Sequence, residues 1–530
     1  MEKSSGNNVI KVGGGLILLI LLILQGIPII NGIFVSFKDY SFFKGMSGSP
    51  FIGMLNFSRL MEDYHFWRIL LNTVKLNLLY LVIVLILASL LAFSLVWLNR
   101  KMQNIFLSIL LIPLFIPGSV LVHLCFTWFR GTMVLASHQW FPFVYAFLLA
   151  IKNVGIPTVF IMKTWQITKG HIKKSGFERL MAPLVFILVQ FASILNTDME
   201  IMHNLINPLV YNTGDTLGYY IYRMGFMQMH VGTAQAGWVI QLVIHMLFGF
   251  AAYVLLSKVL PQKPFFGISG NSGVGINETE GSHDLQTSNP AGFIFPAVFS
   301  LFLAWFVFKP LLADGTVSLV NRLTPVSGMF IASYVRYILI YGCIALLGIP
   351  ISVGLAKSAN VPGGFGRLTR IILVFFLLAG GLGMHQYLFY RSLGLFNTVF
   401  SLVLHYLFPI ANSLVLAVMI AFKTGEEPGG NNNKGQNFSI WKSAFVLAMI
   451  QFITMWNSEY VPLVFISTQN GMPPVLLARS VAQGTGGPID MGAVLGLDFL
   501  VTLLPVALFL IFRKLITEWI LLSFTKGVNG

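Results

Sequence analysis

Charge is what this chain has least of. Only 10% of its 530 residues are Asp, Glu, Lys or Arg, against roughly 25% in a soluble domain, while 56% are hydrophobic. A globule of that composition cannot cover its surface with polar side chains, which excludes a water-soluble fold. Cysteine is nearly absent: Cys125 and Cys343 lie far apart in apolar runs, excluding a disulfide framework and a thiolate metal site. No GxxxxGK[ST] loop, HExxH pair or Cys/His cluster occurs, so no metal site, cofactor or catalytic residue is expected. His123, His245 and His385 stand singly in apolar segments and read as hydrogen-bonded packing residues. The 33 Lys and Arg outnumber the 18 Asp and Glu, but they flank apolar runs. They read as topology anchors and not as a nucleic-acid surface.

What is present is apolar sequence in span-sized pieces. Crossing a bilayer core of ~30 Å takes ~20 apolar residues. Runs near 12–35, 73–98, 104–127, 143–167, 183–203 and 233–257 make one set of six, and runs near 291–312, 331–356, 368–388, 396–421, 441–467 and 494–516 make a second. The first run is longer than a signal-peptide core and reads as a span. The expected fold is an all-α polytopic membrane protein with about twelve transmembrane helices in two related six-helix halves, residues 1–260 and 291–530. Residues 261–290 are rich in Gly, Ser and Asn and read as a flexible cytoplasmic linker. Basic residues concentrate in alternate short loops, such as Arg100 and Lys101, Lys169 to Arg179, and Lys357 to Arg367. That asymmetry places both termini in the cytoplasm.

Polar groups at membrane depth are costly unless they pair or face water, so they mark candidate sites. Lys75, Lys152, Lys163, Arg336 and Glu459 qualify; Lys75, Lys163 and Arg336 lie near helix ends and can snorkel. In MWNSEYVPL, Trp456, Asn457 and Glu459 put an indole, an amide and a carboxylate within four residues. They either line a polar path, with the indole as a platform for a sugar ring, or form an interfacial anchor with a capping Asn. Between the fifth and sixth runs, Asn207, Pro208, Tyr211, Asp215, Tyr220, Tyr222 and Arg223 fall in a turn-rich, tyrosine-rich segment that reads as an ordered outer loop.

Two sets of motifs then carry a resemblance. SFKDY at Ser36 to Tyr40, FIGMLNFSRL from Phe51, LIPLFIP from Leu111, and NPLVY through YIYRMG at Asn207 to Gly225 resemble the first permease subunit of bacterial binding-protein-dependent ABC importers. The class is the carbohydrate, maltose-type one, in its polysaccharide-uptake branch. LTPVSG at Leu323, GGLGMHQYLFYRSLGLFNT at Gly380 to Thr398, WNSEYVPLVF at Trp456, PPVLLARS at Pro473 and FTKG at Phe524 resemble its partner subunit. The resemblance implies a fused pair with a type I ABC importer permease fold in a bacterial inner membrane. It implies an extracytoplasmic solute-binding protein docked on the 207–223 loop, a separate ATPase dimer, and a substrate pathway that Tyr387 shares with Trp456, Asn457 and Glu459.

Permeases of this family carry an EAA-type coupling motif before the penultimate helix, and here neither half has it. The first offers TKGHIKKSGFERLMAP, with Lys173, Lys174 and Glu178; the second offers TGEEPGGNNNKGQN, with Glu426 and Glu427. A Gly-rich chain pays ordering entropy and absorbs displacement instead of transmitting it. Two functions are therefore carried forward: a carbohydrate permease driven through unusual ATPase contacts, and a permease-derived membrane platform for an extracytoplasmic partner or envelope complex.

Overall fold

The computed structural model describes residues 2–169, 176–259, 291–314, 327–380, 383–424, 440–483 and 491–525. Among them there is no β-strand, only an isolated bridge between Lys38 and Phe51. The linker and the residues Lys173, Lys174, Glu426 and Glu427 lie outside the described set.

The helices in chain order are α1 Glu2–Leu21, α2 Ile27–Ser36, α3 Leu55–Glu62, α4 Tyr64–Val96, α5 Arg100–Leu111, α6 Gly118–Trp128, α7 Phe141–Asn153, α8 Gly155–Lys169, α9 Gly176–Ala192, α10 Met199–Leu205, α11 Leu217–Tyr222 and α12 Val231–Val259. After the linker come α13 Ala291–Asp314, α14 Ser327–Ala359, α15 Gly364–Ala379, α16 Met384–Ser392, α17 Val399–Tyr406, α18 Ile410–Thr424, α19 Ile440–Asn457, α20 Tyr460–Phe465, α21 Pro474–Gln483 and α22 Met491–Thr525. Seven segments are long and apolar enough to cross a membrane, and counting each of three bent pairs as one span brings the number to ten among the described residues. The protein is thus an all-α polytopic membrane protein. The other two expected runs, 183–203 and 441–467, are each divided: α9 stops at Ala192 before α10, and α19 stops at Asn457 before α20.

Helix α4 shows how the sequence builds a span. The Asp63 carboxylate accepts from the His65 amide at 2.8 Å, capping the first turn. Trp67, Leu71, Leu78, Val82, Ile86, Leu90, Phe93 and Trp97 are exposed along one stripe, the lipid-facing side, with an indole at each end. Thirty residues at 1.5 Å each make about 45 Å, the depth of a bilayer with its interfaces. Lys75 sits on that stripe, exposed, in position to snorkel. The opposite face buries Phe66, Ile69, Thr73, Leu76, Tyr80, Val84, Ala88 and Leu91.

Breaks have local causes. Between α5 and α6 the axis turns by 93° at Ile112 to Pro117, where Pro113 and Pro117 withhold backbone donors. Between α7 and α8 it turns by 56° beside Gly155, where a Cβ would come within 2.7 Å of the Leu110 carbonyl oxygen. A π-turn at Leu22 to Gly26 separates α1 from α2 and turns Gln25 onto Gln386 of the second half, whose amide donates to it at 2.8 Å.

The two halves exchange their first helices. α1 packs on α14, and α13 packs on α4. Both crossings use glycine: a Cβ on Gly14 would lie 1.6 Å from Ser358 Oγ, and one on Gly292 would lie 2.9 Å from the Ser94 carbonyl oxygen. Gly14→Val should therefore wedge α1 from α14 and destabilise the protein by about 1–3 kcal/mol. Gly13→Ala, at a position with nothing within 4 Å, should leave the unfolding midpoint in detergent unchanged or raise it.

Candidate functional site

The WNSE tetrapeptide stands where the halves meet. Trp456 is wholly buried; its Nε1 donates to the Val501 carbonyl at 3.0 Å, Tyr334 meets the ring edge-on at 4.7 Å and Phe452 stacks at 6.0 Å. The indole is packing, with no open face to offer a sugar. Asn457 donates to the Phe115 carbonyl at 3.0 Å, inside the α5–α6 break. Glu459 is ion-paired with Arg479 and accepts from Asn204 of α10 at 3.0 Å. Its carboxylate is thus held by both halves. Tyr387 lies in a separate aromatic group, edge-on to Phe226 at 5.3 Å and Phe396 at 5.6 Å.

The residue that organises this junction is Glu200, which the sequence reading passed over. From α10 its carboxylate accepts from Ser458 Oγ at 2.8 Å, the Glu459 amide at 2.9 Å and the Tyr460 amide at 3.2 Å. It caps α20, a helix of the other half. Gly118 makes this approach possible, since a Cβ there would come within 2.8 Å of Glu200 Cβ. A further cross-half contact joins His123 Nδ1 to Asp498 Oδ2 at 2.6 Å.

A cleft of about 260 Å³ with a mixed polar and apolar lining opens between α4, α7, α8 and α9. Asn77, Asn153, Gln190, Ser193 and Asn196 supply amides and a hydroxyl, Tyr80 and Phe186 aromatic rings, Leu149, Ile156 and Pro157 apolar surface, and Asp198 the one charge. Asp198 is neutralised by Lys152 at 2.9 Å, and its other oxygen caps α10 through the Ile201 amide at 3.1 Å. Asn77 donates to the carbonyls of Ile194 and Asn196 at 2.7 and 2.9 Å, fixing the chain between α9 and α10. A sequence signal existed. Tyr80, Gln190, Asn196 and Asp198 recur as Tyr341, Gln451, Asn457 and Glu459, the same 261 positions apart in all four pairs. In the second half Tyr341 is fully buried and Gln451 donates to the Tyr406 carbonyl at 2.9 Å.

The 207–223 loop is ordered from within. Asn207 donates to the Leu135 carbonyl at 3.0 Å and caps the turn at Pro208. Arg223 pairs with Asp215 at 2.7 Å and lies 4.4 Å over the Tyr211 ring. Burial lifts the Asp215 carboxyl above its ordinary range against the pull of Arg223. Tyr220 and Tyr222 are buried, and Tyr222 meets Tyr460 of the second half edge-on at 5.4 Å. Exposure falls instead on Pro208, Leu209, Asn212 and Met227 to His230. Of the remaining sequence candidates, Arg336 donates to the Asn470 carbonyl, and Glu178 falls in the first turn of α9. Arg223→Ala leaves a buried carboxylate without its cation and should cost about 3 kcal/mol of stability. Arg223→Ala combined with Asp215→Asn should cost less than Arg223→Ala alone, as read by denaturant unfolding.

No family model matches the chain, and no curated protein matches it. Among solved structures, a bacterial alginate ABC transporter in complex with an alginate pentasaccharide-bound periplasmic protein aligns with 39% of this chain and 84% of its own, at 20% identity and a TM-score of 0.36. A bacterial ABC transporter involved in import of the acidic polysaccharide alginate aligns with 46% of this chain and 92% of its own, at 19% identity and a TM-score of 0.39.

Proposed function

We propose that this chain is the membrane-spanning part of a binding-protein-dependent ABC importer, with both permease halves fused, and that it carries an uncharged, hydroxyl-rich solute of the oligosaccharide class. The observation behind the solute chemistry is the cleft. Amides, hydroxyls and two aromatic rings gather inside an apolar bundle, and the lining holds no lysine or arginine among the described residues. Amides both donate and accept, which suits sugar hydroxyls, and the one charge in the lining, Asp198, is already paired with Lys152. The motifs in both halves, the reciprocal exchange of first helices and the repeated polar quartet support two sister units. In this reading both termini are cytoplasmic in an inner membrane, an extracytoplasmic binding protein delivers the solute, and a separate ATPase drives it.

The absence of an EAA-type motif from either half favours a second reading, a platform that no longer couples to an ATPase. Purification in mild detergent separates the two: the importer should bring an ATP-hydrolysing subunit with it, and the platform should not. Within the importer reading, Asn153→Leu with Gln190→Leu removes two amide partners worth about 1 kcal/mol each. Uptake of a neutral oligosaccharide into proteoliposomes should fall roughly tenfold or more at limiting solute, with the unfolding midpoint unchanged. Equal uptake would remove the cleft from the pathway. Replacing Glu426 to Gln436 by an unrelated flexible linker should abolish uptake if force enters there, and should leave a platform's partner binding intact.

A further inference from the structure

Exposed apolar side chains do not stop where α4 begins. Tyr64, Trp67 and Leu71 carry its lipid-facing stripe to the first turn, and α3 ends at Glu62 with Asp63 alone between the two helices. The Trp67 indole donates to the Met61 carbonyl at 2.8 Å, which joins α3 to the stripe. Met54, the residue before α3, and Met61 are seven positions apart, about two helical turns, and so lie on one side of it; both are exposed. Beside Met61 by one turn is Phe57, whose ring meets Phe37 at 5.3 Å, and Phe37 stacks on exposed Phe51 at 6.3 Å. The other side of α3 is fixed to protein. Asn56 donates to the Ser36 and Lys38 carbonyls at 2.9 and 3.0 Å, and buried Leu60 lies against Gly237 of α12. Gly232 admits the helix, since a Cβ there would come within 2.6 Å of Asn56 Nδ2. Asn56 therefore stands level with Gly232 and Leu60 with Gly237. Five residues of α12 make about 7 Å of descent, within the ~5–10 Å that an interfacial helix penetrates.

We propose that residues 51–62 are seated in the lipid headgroup layer at the N-terminal end of α4, with Phe51, Met54 and Met61 turned into the bilayer. Leu55, Arg59 and Glu62, on the other exposed edge of α3, face the water. The occupant is lipid because the apolar strip continues the α4 stripe at its own level, so one covering serves both. Arg59 and Glu62 carry one charge of each sign, and the seat needs no anionic lipid. Apolar contact with the acyl boundary is what holds it. The seat fixes more than α3. Through Asn56 it takes hold of the end of α2, and Thr233 donates to Asn56 at 3.4 Å from the first turn of α12. The ends of α2, α4 and α12 thereby hang from one lipid-anchored element, whichever solute or partner the chain serves.

The native methionines of the full chain supply the test. One purified copy per phosphatidylcholine nanodisc leaves neither a second copy nor another protein to cover the strip. Met54 and Met61 are 61% and 42% exposed, and Met133 and Met229, in the connections that precede α7 and α12, are 82% and 57% exposed. Dilute hydrogen peroxide converts water-accessible methionine to the sulfoxide, read residue by residue by peptide mass spectrometry. Met54 and Met61 should oxidise roughly fivefold or more slowly than Met133 and Met229. A rate at either Met54 or Met61 that matches the reference pair overturns the proposal. Spin labels give a second reading in a chain with Cys125→Ala and Cys343→Ser, placed in turn at Met54→Cys, Leu71→Cys and Asn212→Cys. Oxygen, which concentrates in lipid, should relax the labels at 54 and 71 more than a water-soluble nickel chelate does. The label at exposed Asn212 should show the reverse. A label at 54 that behaves as the one at 212 places α3 in water and rejects the seat.

Discussion

A carboxylate at the meeting of two helix bundles must be given donors, and the bundle that carries Glu200 does not give them. All three come from Ser458 and the first amides of α20. Much of the junction follows from that constraint. α10 must begin where its first turn presents Glu200, which Asp198 achieves by capping it. The chain facing it must be glycine at 118. The α5–α6 break then leaves the Phe115 carbonyl free for Asn457. In a low-dielectric interior an unpaired group costs more than a paired one contributes, so these contacts act as a set.

The same rule sorts the other polar residues. Lys75 escapes to the lipid-facing side and needs only a long aliphatic stem. Lys152 pairs, and by pairing neutralises Asp198 at the edge of the cleft. Arg223 is taken up by Asp215 and Tyr211 inside a loop that looks, from composition alone, like a surface meant for another protein. The amides of the cleft remain the exception, gathered around space and not wholly around one another.

Hydropathy located the spans because lipid exposure and burial both demand apolar residues, and α4 and α12 stand where their runs lie. It misjudged ends and bends. The first turns of α4, with Asp63, His65 and Arg68, are too polar for a run of that kind, yet the cap at Asp63 starts the helix there. LIPLFIP counts as continuous apolar sequence although its two prolines turn the axis. Glu459 was legible as a costly buried charge; its partners Arg479 and Asn204 were not, because pairing is a tertiary fact. Glu200 was hidden at the polar end of an expected span. The cleft was missed for a related reason: Asn77, Asn153 and Gln190 only dilute a hydropathy average, and their meaning emerges when three helices bring them together. The interval of 261 residues was the available clue.

The exchange of first helices also sets an order of events during synthesis. Gly14 reaches its partner Ser358 only after on the order of 340 further residues have been made, a delay of roughly 20 to 70 seconds at 5–20 residues per second. Through that interval α1 has only the turn that leads into α2 for company, and nothing on the face meant for α14, where Gly14 waits for a close neighbour. Lipid fills such a groove poorly, and a second nascent copy fills it well. Because α1 and α14 lie in one chain, the α14 nearest to α1 when it emerges is its own partner.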